Sequence, residues 1–227
     1  MTERIRLVTD ILIAPLRRAT ALFGKQAATL DSLSEGRLVL GLAVGGRPDD
    51  FEAAGADFHA RGATFEQQLE ELEAVWGGER GVGPEPANGK RPSLLIGGSA
   101  DVAFQRAARH ADGWTMGGGT PDMFRESLGK LREAWQAAGR EGEPRTMALF
   151  YYALGDGAKE AAGSTLGDYY AFLGDYASQV VDSAATDEDT VKGYLSAFAE
   201  AGADEVICFP VSTDLEQVDL LARAAGL

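Results

Sequence analysis

Cysteine is nearly missing from this chain: Cys208 stands alone among 227 residues. An internal disulfide is thereby excluded, and the usage fits a reducing, cytoplasmic compartment. Histidine is almost as scarce, with only His59 and His110. A histidine-rich metal site is excluded, and no HExxH, CxxC or GxSxG motif is present. No apolar run approaches the roughly 20 residues of a membrane-spanning helix. The first residues also lack the basic-then-apolar layout of a signal peptide. Basic residues are outnumbered, 21 Lys and Arg against 35 Asp and Glu, which leaves a formal net charge of -14. That balance argues against a nucleic-acid partner, which demands a basic face, and against anionic membrane surfaces. An anionic ligand has to be held locally, by backbone amides and a few arginines.

What is present is the composition of an ordinary globular protein, 45% hydrophobic and 25% charged, long enough for one large domain over residues 1–227. The most informative stretch is Pro92 to Gly119, PSLLIGGSADVAFQRAARHADGWTMGGG. Leu94, Leu95 and Ile96 end in Gly97-Gly98-Ser99, and a helical segment follows from Asp101 to about Ala111. A second short run, Gly113 to Met116, ends in Gly117-Gly118-Gly119 before Thr120-Pro121 opens another helix. Strand, glycine turn and helix, twice over, is the repeating unit of a parallel sheet. At both turns glycine leaves no Cβ in a ligand's way. Ser99 and Thr120 stand as N-caps, so free helix N–H groups at each turn suit a phosphate. The plainer reading, that short loops simply need glycine, stands beside it.

Strand and helix alternate through the remainder. Arg4–Ala14 is a β-branched run interrupted by Thr9 and Asp10 and stopped by Pro15. A helix with Phe23, Ala27, Leu30 and Leu33 inward then ends at Gly36. Asp10 within that strand either pairs inside the fold or meets a ligand. Arg37–Val44 is the next strand, closed by Gly45-Gly46. It exits into a long loop, Arg47–Gly62, in which Phe51, Phe58 and His59 are candidates to line a pocket or to pack the loop. Thr64-x-x-Gln67 reads as a capping box ahead of a stripe of Phe65, Leu69, Leu72 and Trp76, and Gly77–Arg91 as an irregular excursion. His110 suits the negative end of its helix. The helix after Pro121 carries Phe124, Leu128, Leu131 and Trp135. Arg145–Leu154 is a further strand on which Tyr151 and Tyr152 face opposite ways. A helix over about Leu166–Val181 carries an aromatic stripe, Thr186 caps a helix over Asp187–Ala201, and Glu205–Val211 and Asp214–Ala225 close the chain. About six strand–helix units fit either a doubly wound sheet or a (β/α) barrel.

Four stretches together resemble the luciferase-like monooxygenase family of flavin- or deazaflavin-dependent oxidoreductases. They are TERIRLVTDILIAPLRR, KQAATLDSLSEGRLVLGLAVGGRPDDFEAAG, PSLLIGGSADVAFQRAARHADGWTMGG and AFAEAGADEVICFPV. The resemblance implies an α/β, TIM-type (β/α)8 barrel with the cofactor, FMN or the deazaflavin coenzyme, across the C-terminal strand ends. It implies a bulge under the redox ring at Thr9-Asp10, with a small polar residue more usual where Asp10 stands. The segment Ala43 to Gly46, Gly45 included, then passes beside the ring, and Gly97, Gly98, Ser99, Gly117 and Gly118 form the phosphate region. Family members begin with two further strand–helix units, so the barrel here is expected to be incomplete, with Arg4–Ala14 as an apolar edge. A truncated chain, a short barrel sealed by a second subunit in a homodimer, and a relative that no longer turns over are the explanations. The implied partner is a small organic substrate. No residue stands out as a general acid or base, and a non-catalytic flavin-binding protein of the same fold is the alternative function.

Overall fold

The structure, a computed structural model, describes residues 2–227. Six strands are neighbours in chain order: β1 (Leu7–Ile13), β2 (Leu38–Ala43), β3 (Ser93–Gly97), β4 (Gly113–Met116), β5 (Arg145–Tyr152) and β6 (Glu205–Pro210). The described pairings, β1 with β2, β2 with β3, β3 with β4 and β5 with β6, are all parallel. A doubly wound sheet needs a point at which the strand order reverses. This order never reverses, so the barrel-type winding is the one adopted, with six strands where a full barrel has eight.

The chain divides into two compact units. One runs to Thr115 and adds Leu131–Arg145; the other comprises Met116–Lys130 and Thr146–Leu227. In the first, β2 is buried along its whole length, as its unbroken apolar sequence requires. Helices α1 (Thr20–Leu33) and α3 (Arg61–Trp76) approach closely because Gly24 has no Cβ to meet Val75. There the Trp76 indole N–H donates to the Gly24 carbonyl at 3.0 Å. Phe65, Leu69 and Leu72 face inward as their spacing requires, and α4 (Asp101–His110) adds Phe104 and Ala107 beside Trp114.

The second unit is built on Phe124 of α5 (Pro121–Ala137), Phe150 of β5 and Phe198 of α8 (Glu188–Ala201). The ring of Phe198 stacks on Phe150 and meets Phe124 edge-on. Beyond β5 come α6 (Ala158–Tyr169), a single 3-10 turn at Ala171–Leu173 and α7 (Tyr176–Asp182). The buried Gln217 of α9 (Glu216–Ala225) bonds both the N–H and the carbonyl of Leu154, which ties off the end of β5.

Several local expectations are corrected. Leu30 and Leu33 are exposed, so the buried face of α1 is Phe23, Gly24, Ala27 and Ala28. The 47–62 loop contains a short helix, α2 (Pro48–Ala53), which the proline starts. Thr64 lies inside the first turn of α3 and caps nothing, because the helix begins at Arg61. The aromatic helix expected over 166–181 is broken, with Gly174 at φ 59° interrupting it. Asp187, not Thr186, caps α8: its carboxylate accepts from the Thr190 N–H at 2.8 Å. No described helix is long and apolar enough to cross a membrane.

Candidate functional site

In the middle of β1 the ladder slips: the β1–β2 register shifts between Thr9 and Leu12, and the Asp10–Ile11 peptide is cis. Thr9 is held there by its hydroxyl, which donates to the Gly41 carbonyl at 3.2 Å and accepts the Gly41 N–H at 2.9 Å. Gly41 has to be glycine, since a Cβ would collide with the Thr9 carbonyl oxygen. The irregularity therefore falls at Asp10-Ile11, sharing Asp10 with the Thr9-Asp10 pair at which the family resemblance expects it, while Thr9 itself keeps its register with Leu40.

Asp10 is anchored by one oxygen only. Its Oδ1 accepts from the Thr115 hydroxyl at 3.0 Å, whereas Oδ2 is buried with no partner among the described residues. Burial pushes the carboxyl up to about 6 against the lowering effect of the Thr115 bond. Its charge thus changes near neutrality, and the unpartnered oxygen is a donor when protonated and an acceptor when ionised.

At the end of β3 the space beside Gly97 is filled by the protein itself, whereas Gly98 and Ser99 of the turn that follows are exposed. A side chain at Gly97 would run into the end of Ile11 and lie against Ala43 and Thr115, so the four residues converge on one spot. Gly98 sits at φ 128° with Ala103 close by, and its carbonyl accepts the Trp114 indole N–H at 2.7 Å. Ser99 is exposed and is not the N-cap of α4. Ala100 holds that position with no side-chain bond. Gly45, at φ 80°, makes room for Ile13 and Phe51.

The turn after β4 differs. A Cβ at Gly117 or Gly118 would meet nothing within 4 Å, and Gly118 and Gly119 take φ of 127° and 134°. Thr120 does cap α5: its hydroxyl accepts the Met123 N–H at 3.3 Å. These residues form one wall of a cavity of about 230 Å³ completed by β5 and the 170–183 segment.

Other candidates are structural. His59 is exposed, while Phe51 is buried against the edge of Phe58. His110 is bracketed by Glu73 at 3.0 Å and Glu66 at 3.3 Å. Glu66 also pairs with Arg106 and Arg109, which makes this an ion-pair cluster between α3 and α4. Burial raises the Cys208 thiol to about 11, which leaves it a poor nucleophile. Among the described residues no group of three or more His, Cys, Asp or Glu is gathered to hold a metal ion. Sequence reasoning missed Thr115 and Ile11. The available signal for Thr115 was its place as the lone polar side chain in β4, facing opposite to Trp114 and Met116.

The fold is that of an F420-dependent secondary alcohol dehydrogenase, with TM-score 0.82 at 16% identity over 99% of this chain and 80% of the other. A coenzyme F420-dependent tetrahydromethanopterin reductase from Methanopyrus kandleri gives 0.72 at 20% identity, over 98% and 82%. The EDTA monooxygenase of Chelativorans sp. BNC1 gives 0.64 at 15%, over 91% and 70%. By sequence, an uncharacterized protein of Mycobacterium tuberculosis is 32% identical over 151 residues, 62% of this chain and 52% of its own length. A second from that organism is 30% identical over 162 residues, 66% of this chain and 57% of its own. The chain thus spans about half the length of the curated relatives it matches. The profile of the family described as luciferase-like monooxygenase matches residues 1–205, and the chain belongs to that family.

Proposed function

We propose that this chain is an oxidoreductase of the flavin- or deazaflavin-dependent kind, acting on a small organic substrate. FMN or the deazaflavin coenzyme would be held by Thr9, Asp10, Ala43 and Gly45 toward its ring and by Gly97, Gly98, Ser99, Gly117 and Gly118 toward its phosphate. The residues fit such a group. Gly117 and Gly118 leave open space where side chains would stand, and the buried Oδ2 of Asp10 awaits a polar partner. The bound cofactor supplies the redox chemistry, hydride transfer for a deazaflavin and oxygen activation for FMN.

The chain's own contribution is to bind and orient. Thr9 and Gly41 lock the bulge, and Thr115 fixes one oxygen of Asp10 so that the other is aimed and desolvated. Ile11 fills the space at Gly97 and keeps water from it. The open turn at Gly117–Gly118 is the observation that carries the reading, because backbone amides without a Cβ nearby are what a phosphate uses. We also place a second copy of the chain along β1 and α1, where Val8, Leu22 and Leu33 are exposed. A native mass equal to one chain would remove that homodimer. A cytoplasmic setting accords with the single thiol.

The test is a visible-absorbance and fluorescence titration of the purified protein with FMN and with the deazaflavin coenzyme. Saturable micromolar binding of one of them is expected, with Gly117→Ala weakening it. Absence of binding by either in the millimolar range would sink the proposal. Tight binding with no turnover of any substrate would favour the non-catalytic relative.

A further inference from the structure

The cavity at the Gly117–Thr120 turn has walls that a phosphate site does not call for. Beyond the turn it is lined by Met123, Phe150, Tyr151, Tyr170, Leu173, Tyr176, Gln179, Val180 and Ser183. Among the described residues no lysine, arginine, histidine, aspartate or glutamate contributes. In a chain of net charge -14 such a surface has to be accounted for. A charged ligand entering it would lose its water and gain no counter-charge.

Size narrows the choice. At about 230 Å³ the space exceeds the roughly 150 Å³ of an apolar cavity that accepts benzene. It falls short of the roughly 300–1,000 Å³ usual for drug-sized ligands. The polar handle is a pair of phenols: the Tyr151 and Tyr170 hydroxyls lie 2.6 Å apart. One proton closes that contact, and both tyrosines, with Gln179, line the cavity. Burial raises the Tyr170 hydroxyl, so it remains a neutral phenol throughout the ordinary pH range. The rings themselves are braced. Tyr151 meets Tyr170 and Phe209 edge-on, and both tyrosines pack on Ala162, Leu166 and Ala184.

Packing alone does not explain the outer wall. No residue of the Ala171–Leu173 turn or of α7 is buried, and Leu173 and Tyr176 remain 37% and 48% exposed around the void. Apolar side chains left half in water beside a cavity are covered when a ligand enters.

We propose that the cavity walled by Phe150, Tyr151, Tyr170, Leu173, Tyr176 and Val180 binds an uncharged molecule of one or two rings. Its carbonyl or hydroxyl oxygen meets the Tyr151–Tyr170 pair. Gly117, Gly118 and Thr120 belong to the same wall, so in the proposed oxidoreductase this cavity adjoins the turn given to the cofactor's phosphate, an adjacency that rests on that reading.

The experiment titrates the full chain at pH 7, without cofactor, with 2-naphthol as a fluorescent neutral probe and benzoate as its charged counterpart. Saturable binding of 2-naphthol is expected, with benzoate at least tenfold weaker. Tyr170→Phe should weaken the neutral probe about tenfold, the scale of one hydrogen bond, with its melting temperature checked alongside. Leu173→Trp, which fills the space from a half-exposed position, should abolish probe binding and leave the FMN and deazaflavin titrations unchanged. Equal 2-naphthol affinity in wild type and Leu173→Trp would overturn the assignment, as would benzoate binding as tightly as the neutral probe. Displacement of the probe by cofactor would also overturn it, by giving the cavity to the cofactor itself. Since the probe is read without cofactor, failure of the cofactor reading and failure of this one register in separate titrations.

Discussion

The two glycine turns look alike in sequence and differ in what stands beside their first glycine. After β3, the place a side chain would take at Gly97 already belongs to Ile11, and Gly98 crowds Ala103. After β4, Gly117 and Gly118 face open space, and the next helix is capped by Thr120. At the first the protein packs against the backbone of the strand's last glycine; at the second the space beside the glycines is open. A glycine doublet therefore reports a missing Cβ and is silent about what takes its place.

The largest effect should come from Gly97, the last residue of β3. Gly97→Ala puts a methyl group into the Cδ1 of Ile11, the end of a half-buried side chain that has to turn aside, and is expected to cost about 1–3 kcal/mol in urea denaturation, the scale of core overpacking. Ile11→Val removes that same Cδ1, so the cost of Gly97→Ala should fall by half or more in the Ile11→Val background. Strict additivity of the two changes would mean that Ile11 is not what fills the turn.

Next in size is the carboxylate beside that turn. The Asp10 carboxyl rises from an ordinary 3.8 to about 6 on folding. Between those values the folded chain keeps a proton that the unfolded chain has released, so stability falls as pH rises from about 4 to 6 and is level above. With the shift discounted for partial exposure, the loss is on the order of 1–2 kcal/mol. Asp10→Asn has no such proton to release. The difference in unfolding free energy between the two proteins at pH 4.5 and at pH 7.5 isolates the effect, and a pH-independent difference would refute it.

How much of this was legible beforehand follows from what each feature depends on. β4 was readable to the residue, Gly113 to Met116, because glycine bounds it on both sides. The β2 core and the α3 stripe were readable from apolar spacing. The break at Gly174 was not, since a run of aromatics suggests a helix whether or not a turn interrupts it. The site split the same way. Thr9-Asp10 stood out as polar residues in an apolar strand, and the register shift begins just after Thr9. Thr115 and Ile11 act only through partners 105 and 86 positions away, Asp10 and Gly97, and no local pattern announces a contact of that range.

The open turn supplies the third comparison. Gly117→Ala adds a methyl group where nothing lies within 4 Å, so its melting temperature should match wild type. If a phosphate approaches the backbone there, affinity for the cofactor should fall about tenfold, or roughly 1.4 kcal/mol. Unchanged affinity would leave the phosphate without this turn.

The smallest effect separates the two caps that the sequence alone treats as equals. Thr120 accepts a bond from the Met123 N–H, and losing it in Thr120→Ala exposes a helix donor at a cost of about 1 kcal/mol. Ser99 is exposed, and α4 starts at Ala100 without a side-chain bond, so Ser99→Ala should stay within about 0.5 kcal/mol of wild type. Both are read in the same urea denaturation. An equal cost at the two positions would mean that the turns are capped alike, and the contrast between them would then rest on what fills each turn and not on how its helix begins.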